Sequence, residues 1–147
     1  MIAVDTNILV YSHRQDHPWH LDAKRCLQDL AEGDTTWLLL WQCLHEFIGV
    51  VTSAKVWKTP STLLQAFDQV EVWVNAPTAI FGTEGLGYWN ILRDVLFESG
   101  VTGPRVHDAR IAALCLQHGV TTLWSADRDF SRFGRLKVVN PLVQKKR

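Results

Sequence analysis

Short apolar runs alternate along the chain with longer stretches in which apolar residues recur every three or four positions. Residues 2–4 form the first apolar run, which reads as a strand, and 6–12 follow it as a short helix. His17-Pro18-Trp19 marks a turn, with Pro18 suited to a helix start. Leu21, Lys24, Cys26, Leu27, Leu30 and Ala31 then carry helical spacing as far as Gly33. Residues 35–40 are a second β-rich run, and 42–53 a helix with Leu44, Phe47, Ile48 and Val51 on one stripe. Pro60 is expected to open a helix over 61–74, followed by a strand at 78–81 and a helix over 84–98. A loop at 100–104 leads to a helix over 107–118 that Gly119 closes. Strands at 121–124 and 136–139 flank a turn or short helix at 127–133. Strands alternate with helices throughout. The pattern predicts an α/β fold with a central parallel sheet of about four to five strands, covered by helices on both faces.

Composition narrows this reading without changing it. The 147 residues are one domain's length, so 1–147 is expected to be a single domain. Hydrophobic residues make up 47% and charged residues 20%, which excludes disordered and collagen-like chains. No apolar run reaches the roughly 20 residues of a membrane helix. An acid at position 5 stands where a signal peptide wants apolar residues, so a cytoplasmic protein without membrane attachment is expected. Cys26, Cys43 and Cys115 have no CxxC spacing and sit among apolar residues, as buried free thiols do.

Charge is balanced overall and divided along the chain. Residues 1–100 carry 6 basic and 12 acidic side chains, and residues 101–147 carry 9 basic and 3 acidic. Arg105, Arg110, Arg128, Arg132, Arg135 and Lys137, with the tail Lys145, Lys146 and Arg147, surround the three acids of the second half. A basic surround favours a polyanion, while a solvated surface of segregated charge reads the same way in sequence.

The acids supply the candidate chemistry. Asp5 follows the first strand and Asp127 follows the strand at 121–124, so both fall at the carboxyl ends where open α/β sheets bind ligands. An Asp in that position also caps the next helix. Glu46 lies on or beside the apolar stripe of its helix, where an unpaired carboxylate costs several kcal/mol. Asp108 opens the helix at 107–118 on its inward face, where it also complements the helix dipole. Four carboxylates from four elements, directed to one end of a sheet, repel one another unless a divalent cation joins them. All-oxygen ligands suit Mg²⁺ or Mn²⁺.

These residues resemble a PIN domain, the Mg²⁺-dependent ribonuclease fold. Asp5-Thr6-Asn7, Glu46 in a mid-chain helix, Val106-His107-Asp108-Ala109 and Ser125-Ala126-Asp127-Arg128-Asp129-Phe130 match the family in order and spacing over essentially the whole chain. Within the family, the compact length is similar to the VapC toxins of bacterial toxin–antitoxin modules. The resemblance implies an endoribonuclease that cleaves RNA by a metal-activated water, uses Mg²⁺ with Mn²⁺ as a substitute, forms a homodimer and is inhibited by a cognate antitoxin. It makes Asp5, Glu46 and Asp108 metal-binding acids. The fourth acid is Asp127 or Asp129. Asp127 comes first out of the strand and is preferred, with Asp129 left to hold the loop. Thr6 or Asn7 would orient Asp5 or a metal-bound water, and Ser125 would hydrogen-bond within the cluster.

Arg105, Arg110, Arg128 and Arg132 flank Asp108 and Asp127 and are expected on the RNA-facing rim. Among seven Trp, Trp19 and Trp57 are poorly placed for deep burial and are candidates for the antitoxin surface, whereas Trp37 and Trp124 belong to strands and the core. Other chemistries are weaker. Of His13, His17 and His20 only His17 and His20 share a helix-like spacing and no Cys or third ligand joins them, and Gly49 breaks an HExxH reading of His45-Glu46. Gly82, Gly85 and Gly87 are followed by no GKS or GKT, so they make no phosphate loop. Asn7 replaces the second Asp of a haloacid-dehalogenase-type phosphatase. A housekeeping RNA-processing nuclease is the alternative to a toxin, and a non-catalytic RNA- or protein-binding module a more distant one.

Overall fold

The computed structural model describes residues 1–143, and the basic tail Lys145, Lys146 and Arg147 lies outside them. Five strands, β1 (Ile2–Val4), β2 (Trp37–Leu40), β3 (Ala79–Gly82), β4 (Thr122–Trp124) and β5 (Lys137–Val139), form one sheet in the order β3-β2-β1-β4-β5. Every pairing is parallel. Six helices connect them: α1 (Thr6–His13), α2 (His20–Glu32), α3 (Trp41–Val51), α4 (Leu63–Val74), α5 (Tyr88–Ser99) and α6 (Val106–Gln117).

The chain builds outward from β1 to β3, then crosses to the other side of β1 for β4 and β5. Right-handed crossovers therefore place α1–α4 on one face and α5–α6 on the other. The most extensive helix packing agrees, joining α1 to α2 and α3 on one side and α5 to α6 on the other. The core sits on the central strands, while the edge strands β3 and β5 leave Ile80 and Lys137 exposed. Trp37, Leu38, Leu39 and Leu40 are each buried, as are Ala3, Val4 and Leu123. Strands buried on both faces read as continuous apolar runs rather than alternating ones, which is why the sequence marks them clearly.

Helix boundaries moved where capping chemistry overrode periodicity. Pro60 does not open α4. Thr62 caps it, and its hydroxyl and the Gln65 side chain bond each other's backbone N–H groups. The helix expected from position 84 begins at Tyr88, because Gly87 takes φ 82° and turns the chain just before it. A short 3-10 turn, Gly103–Arg105, precedes α6. Cys43 and Cys115 are buried free thiols, whereas Cys26 is half-buried.

The order of the sheet fixes where a ligand can sit. Strand order reverses at β1, with β2 on one side and β4 on the other, so the carboxyl ends of β1 and β4 bound the crevice at the switch point. Asp5 and Ser125 are the residues that immediately follow those two ends.

Candidate active site

Asp5 leaves the central strand and caps α1, its Oδ1 accepting the Thr6 N–H at 2.8 Å. The cap and cluster readings are thus both realised in one residue. Its Oδ2 accepts from the Ser125 hydroxyl at 2.8 Å and from Asn7 Nδ2 at 3.1 Å. Asn7 also donates to Ser125 Oγ, and its Oδ1 accepts the Ala126 N–H. Ser125 Oγ in turn accepts the Asp127 N–H at 3.0 Å. The start of α1 and the loop after β4 are therefore stitched across the switch point by one polar network. The chain separates these residues by more than a hundred positions, and the parallel β1–β4 pairing brings them together.

Of the two residues expected to orient Asp5, Asn7 does so with its side chain, while the Thr6 side chain turns to Glu46. Its hydroxyl donates to Glu46 Oε2 at 3.0 Å, so it orients Glu46 while its backbone N–H holds Asp5. Glu46 itself is exposed. Of the two placements expected, on or beside the apolar stripe, the structure has the second: Cys43, Leu44 and Phe47 fill the core face of α3, and Glu46 lies at that face's edge and lines the crevice. Asp127 caps the 3-10 turn Arg128–Arg132 through the Asp129 N–H at 2.9 Å. Asp5, Glu46, Asp108 and Asp127 all line one cleft of about 350 Å³, together with Thr6 and Asn7. Asp129 is not among its lining residues and instead pairs with Arg105 at 2.7 Å.

Electrostatics reflect the crowding. Burial, and to a lesser degree the charges of Glu46 and Asp127, push Asp5 up from 3.8 to about 6, against the opposing pull of the Ser125 and Thr6 hydrogen bonds. Asp108 is raised by its own desolvation and then by Asp127, while Arg105 pulls it back. Among the described residues no three His, Cys, Asp or Glu side chains already converge as a finished metal site. The donor set nevertheless suits a hard divalent cation. It consists of carboxylate oxygens only, on four separate elements, with mutual repulsion that a cation would relieve.

The basic residues divide. Arg105 and Arg132 border a second depression beside Asp108, and Arg128 lies at the start of its 3-10 turn. Arg110 turns away and is tied to Glu84, in the connection before α5. Trp19 is 41% exposed at the start of α2. Trp57 is more enclosed than its polar neighbours suggested, with its Nε1 donating to Val50 O at 3.0 Å. The three histidines do not gather around a metal. His13 pairs with Ser61 and Gln69, His20 with Tyr11 O, and His17 stacks on Tyr11.

Tyr11 and His17 also line the acidic cleft, a role that the sequence did not reveal. A signal was present, since Tyr11 stands four residues after Asn7 and so shares its face of α1.

Residues 2–136 match the family model of the PIN domain. Ribonuclease VapC43 of Mycobacterium tuberculosis is 37% identical over 142 residues, covering 97% of this chain and 96% of its own. Two solved structures share the fold. VapBC2 from Rickettsia felis, bound to a promoter DNA fragment, aligns at TM-score 0.64 and 24% identity over 95% of this chain and 98% of its own. VapC20 of Mycobacterium tuberculosis, described as a Sarcin-Ricin loop cleaving toxin, aligns at TM-score 0.65 and 16% identity over 89% and 93%. The chain belongs to the PIN domain family and groups there with the VapC ribonucleases.

Proposed function

We propose that this protein is a divalent-metal-dependent endoribonuclease and the toxin of a toxin–antitoxin module. The observation that carries the proposal is the convergence of Asp5, Glu46, Asp108 and Asp127 on one cleft at the switch point of the sheet. Similarity to curated VapC ribonucleases over nearly the full length supports it.

Mg²⁺ or Mn²⁺ held by these four acids would polarise a phosphate and lower the pKa of a water for in-line attack. The chain's own residues prepare the ligands. Ser125 and Asn7 fix the orientation of Asp5, and Thr6 fixes Glu46. The N–H groups at Thr6 and Asp129 hold one carboxylate oxygen each on Asp5 and Asp127. Arg105, Arg128 and Arg132 supply positive charge near the acids for the RNA backbone. Arg110, engaged by Glu84, has the weakest claim to that role.

The partner is a cognate antitoxin that covers Trp19, Trp57 or both and reaches the acids with a basic side chain. The VapBC2 structure, which shares this fold, supports such a partner. A homodimer follows from the family resemblance. The experiment is RNA cleavage by purified protein with Mg²⁺ or Mn²⁺. Wild type should leave 5′-phosphate and 3′-hydroxyl ends, and EDTA or Asp108→Asn should abolish cleavage without unfolding the chain. Full activity in EDTA, or 2′,3′-cyclic phosphate ends, rejects the mechanism.

A further inference from the structure

The acids share their cleft with Tyr11, His17, Val50, Val56 and Trp57, which line it as well. Tyr11 and His17 lie face to face, centroids 3.9 Å apart and planes within 8°. Trp57 is fixed at its Nε1 by Val50 O and on one ring face by the Arg14 guanidinium, 4.2 Å from the centroid. Arg14 is itself buried at 8% exposure. It donates to Thr59 O at 2.9 Å and Ser61 Oγ at 3.2 Å, and it pairs with Asp16. The connection between α3 and α4, which carries Val56 and Trp57, is thereby fastened to the end of α1. These rings are ordered before any ligand arrives, which lowers the entropy cost of binding to them.

Aromatic rings and carboxylates that line one cleft of about 350 Å³ suit a ligand that carries both a flat ring and a phosphate. Unpaired RNA bases stack on aromatic side chains with little dependence on sequence. We propose that Trp57 and the Tyr11–His17 stack form a base-stacking subsite for the unpaired nucleotide adjoining the scissile phosphate of single-stranded RNA. The proposal rests on the ribonuclease reading above and names how that site selects unpaired substrate.

The test uses the full chain and a mixed-sequence single-stranded RNA 12-mer carrying a fluorophore and quencher, with Mn²⁺. Trp57→Ala should raise KM about tenfold, equivalent to 1.4 kcal/mol, with kcat changed far less. Trp57→Phe, which keeps an aromatic face and the fold, should restore most of the loss. A set of 12-mers with one abasic position each locates the stacked base. At the nucleotide beside the cut, base removal should weaken wild type but leave Trp57→Ala unaffected. Equal losses in both proteins at every position overturn the subsite. So does a Trp57→Ala variant with unchanged KM that has lost only antitoxin affinity. If wild type cleaves no RNA, the nuclease reading fails separately, and the same abasic comparison by fluorescence anisotropy in EDTA still decides the stacking.

Discussion

Replacing Asp5 with Asn separates the two jobs this residue holds, the cap on α1 and a charge in the acidic cluster. Its folded pKa of about 6 lies above the ordinary 3.8, so the folded state binds the proton more tightly than the unfolded chain does. The group's contribution to stability is complete below about pH 3.8 and is lost as pH rises through about 6. A shift of about two units corresponds to about 3 kcal/mol. The amide resembles the neutral acid in shape and charge. At pH 4 the two proteins should therefore agree within about 1 kcal/mol, the scale of one altered hydrogen bond. At pH 8 in EDTA the variant should be more stable by about 2–3 kcal/mol. Urea denaturation at pH 4, 6 and 8 measures both values. Adding Mg²⁺ at pH 8 should stabilise wild type by mass action and leave the variant nearly unchanged. A difference that stays constant from pH 4 to pH 8 would refute the argument from burial and crowding. A large loss of stability at pH 8 would show that the cap to Thr6 outweighs the repulsion.

Three further outcomes follow from the geometry. Asp127→Asn should reduce cleavage more than Asp129→Asn, since Asp127 lines the cleft and Asp129 pairs with Arg105; the reverse order in single-turnover rates would exchange their roles. Thr6→Val removes the hydroxyl that orients Glu46 and should cost about 10–100-fold in metal affinity or activity, read by Mn²⁺ titration of the rate, with no large change in melting temperature. Charge reversal at Arg128 and Arg132 together should weaken RNA binding and reduce the slope of log affinity against log salt by about 1 for each phosphate no longer neutralised, whereas Arg110→Ala should leave that slope alone.

Much of this protein was legible in the chain because local rules decide it. A strand buried on both faces must be a continuous apolar run, so 37–40 announced itself, and the βα alternation implied a parallel sheet. Asp5 directly after β1 and Asp127 three residues after the end of β4 were placed by the sequence at the carboxyl rim. What periodicity could not supply were meetings between distant segments. Thr6 meets Glu46 because α1 packs on α3, and Ser125 meets Asp5 because β4 inserts beside β1 rather than at an edge. Glu46 read as lying on or beside the apolar stripe, and only the sheet's position decides which edge of α3 faces the crevice. Arg110 and Trp57 show the same limit in reverse. A basic residue beside Asp108 was drawn off by Glu84, and a tryptophan in a polar stretch was drawn in by Arg14. The sequence determines which groups are available and which end of the sheet they reach. Tertiary packing decides which partner each one meets, because hydrogen bonds and desolvation act over a few ångströms that only the folded chain brings together.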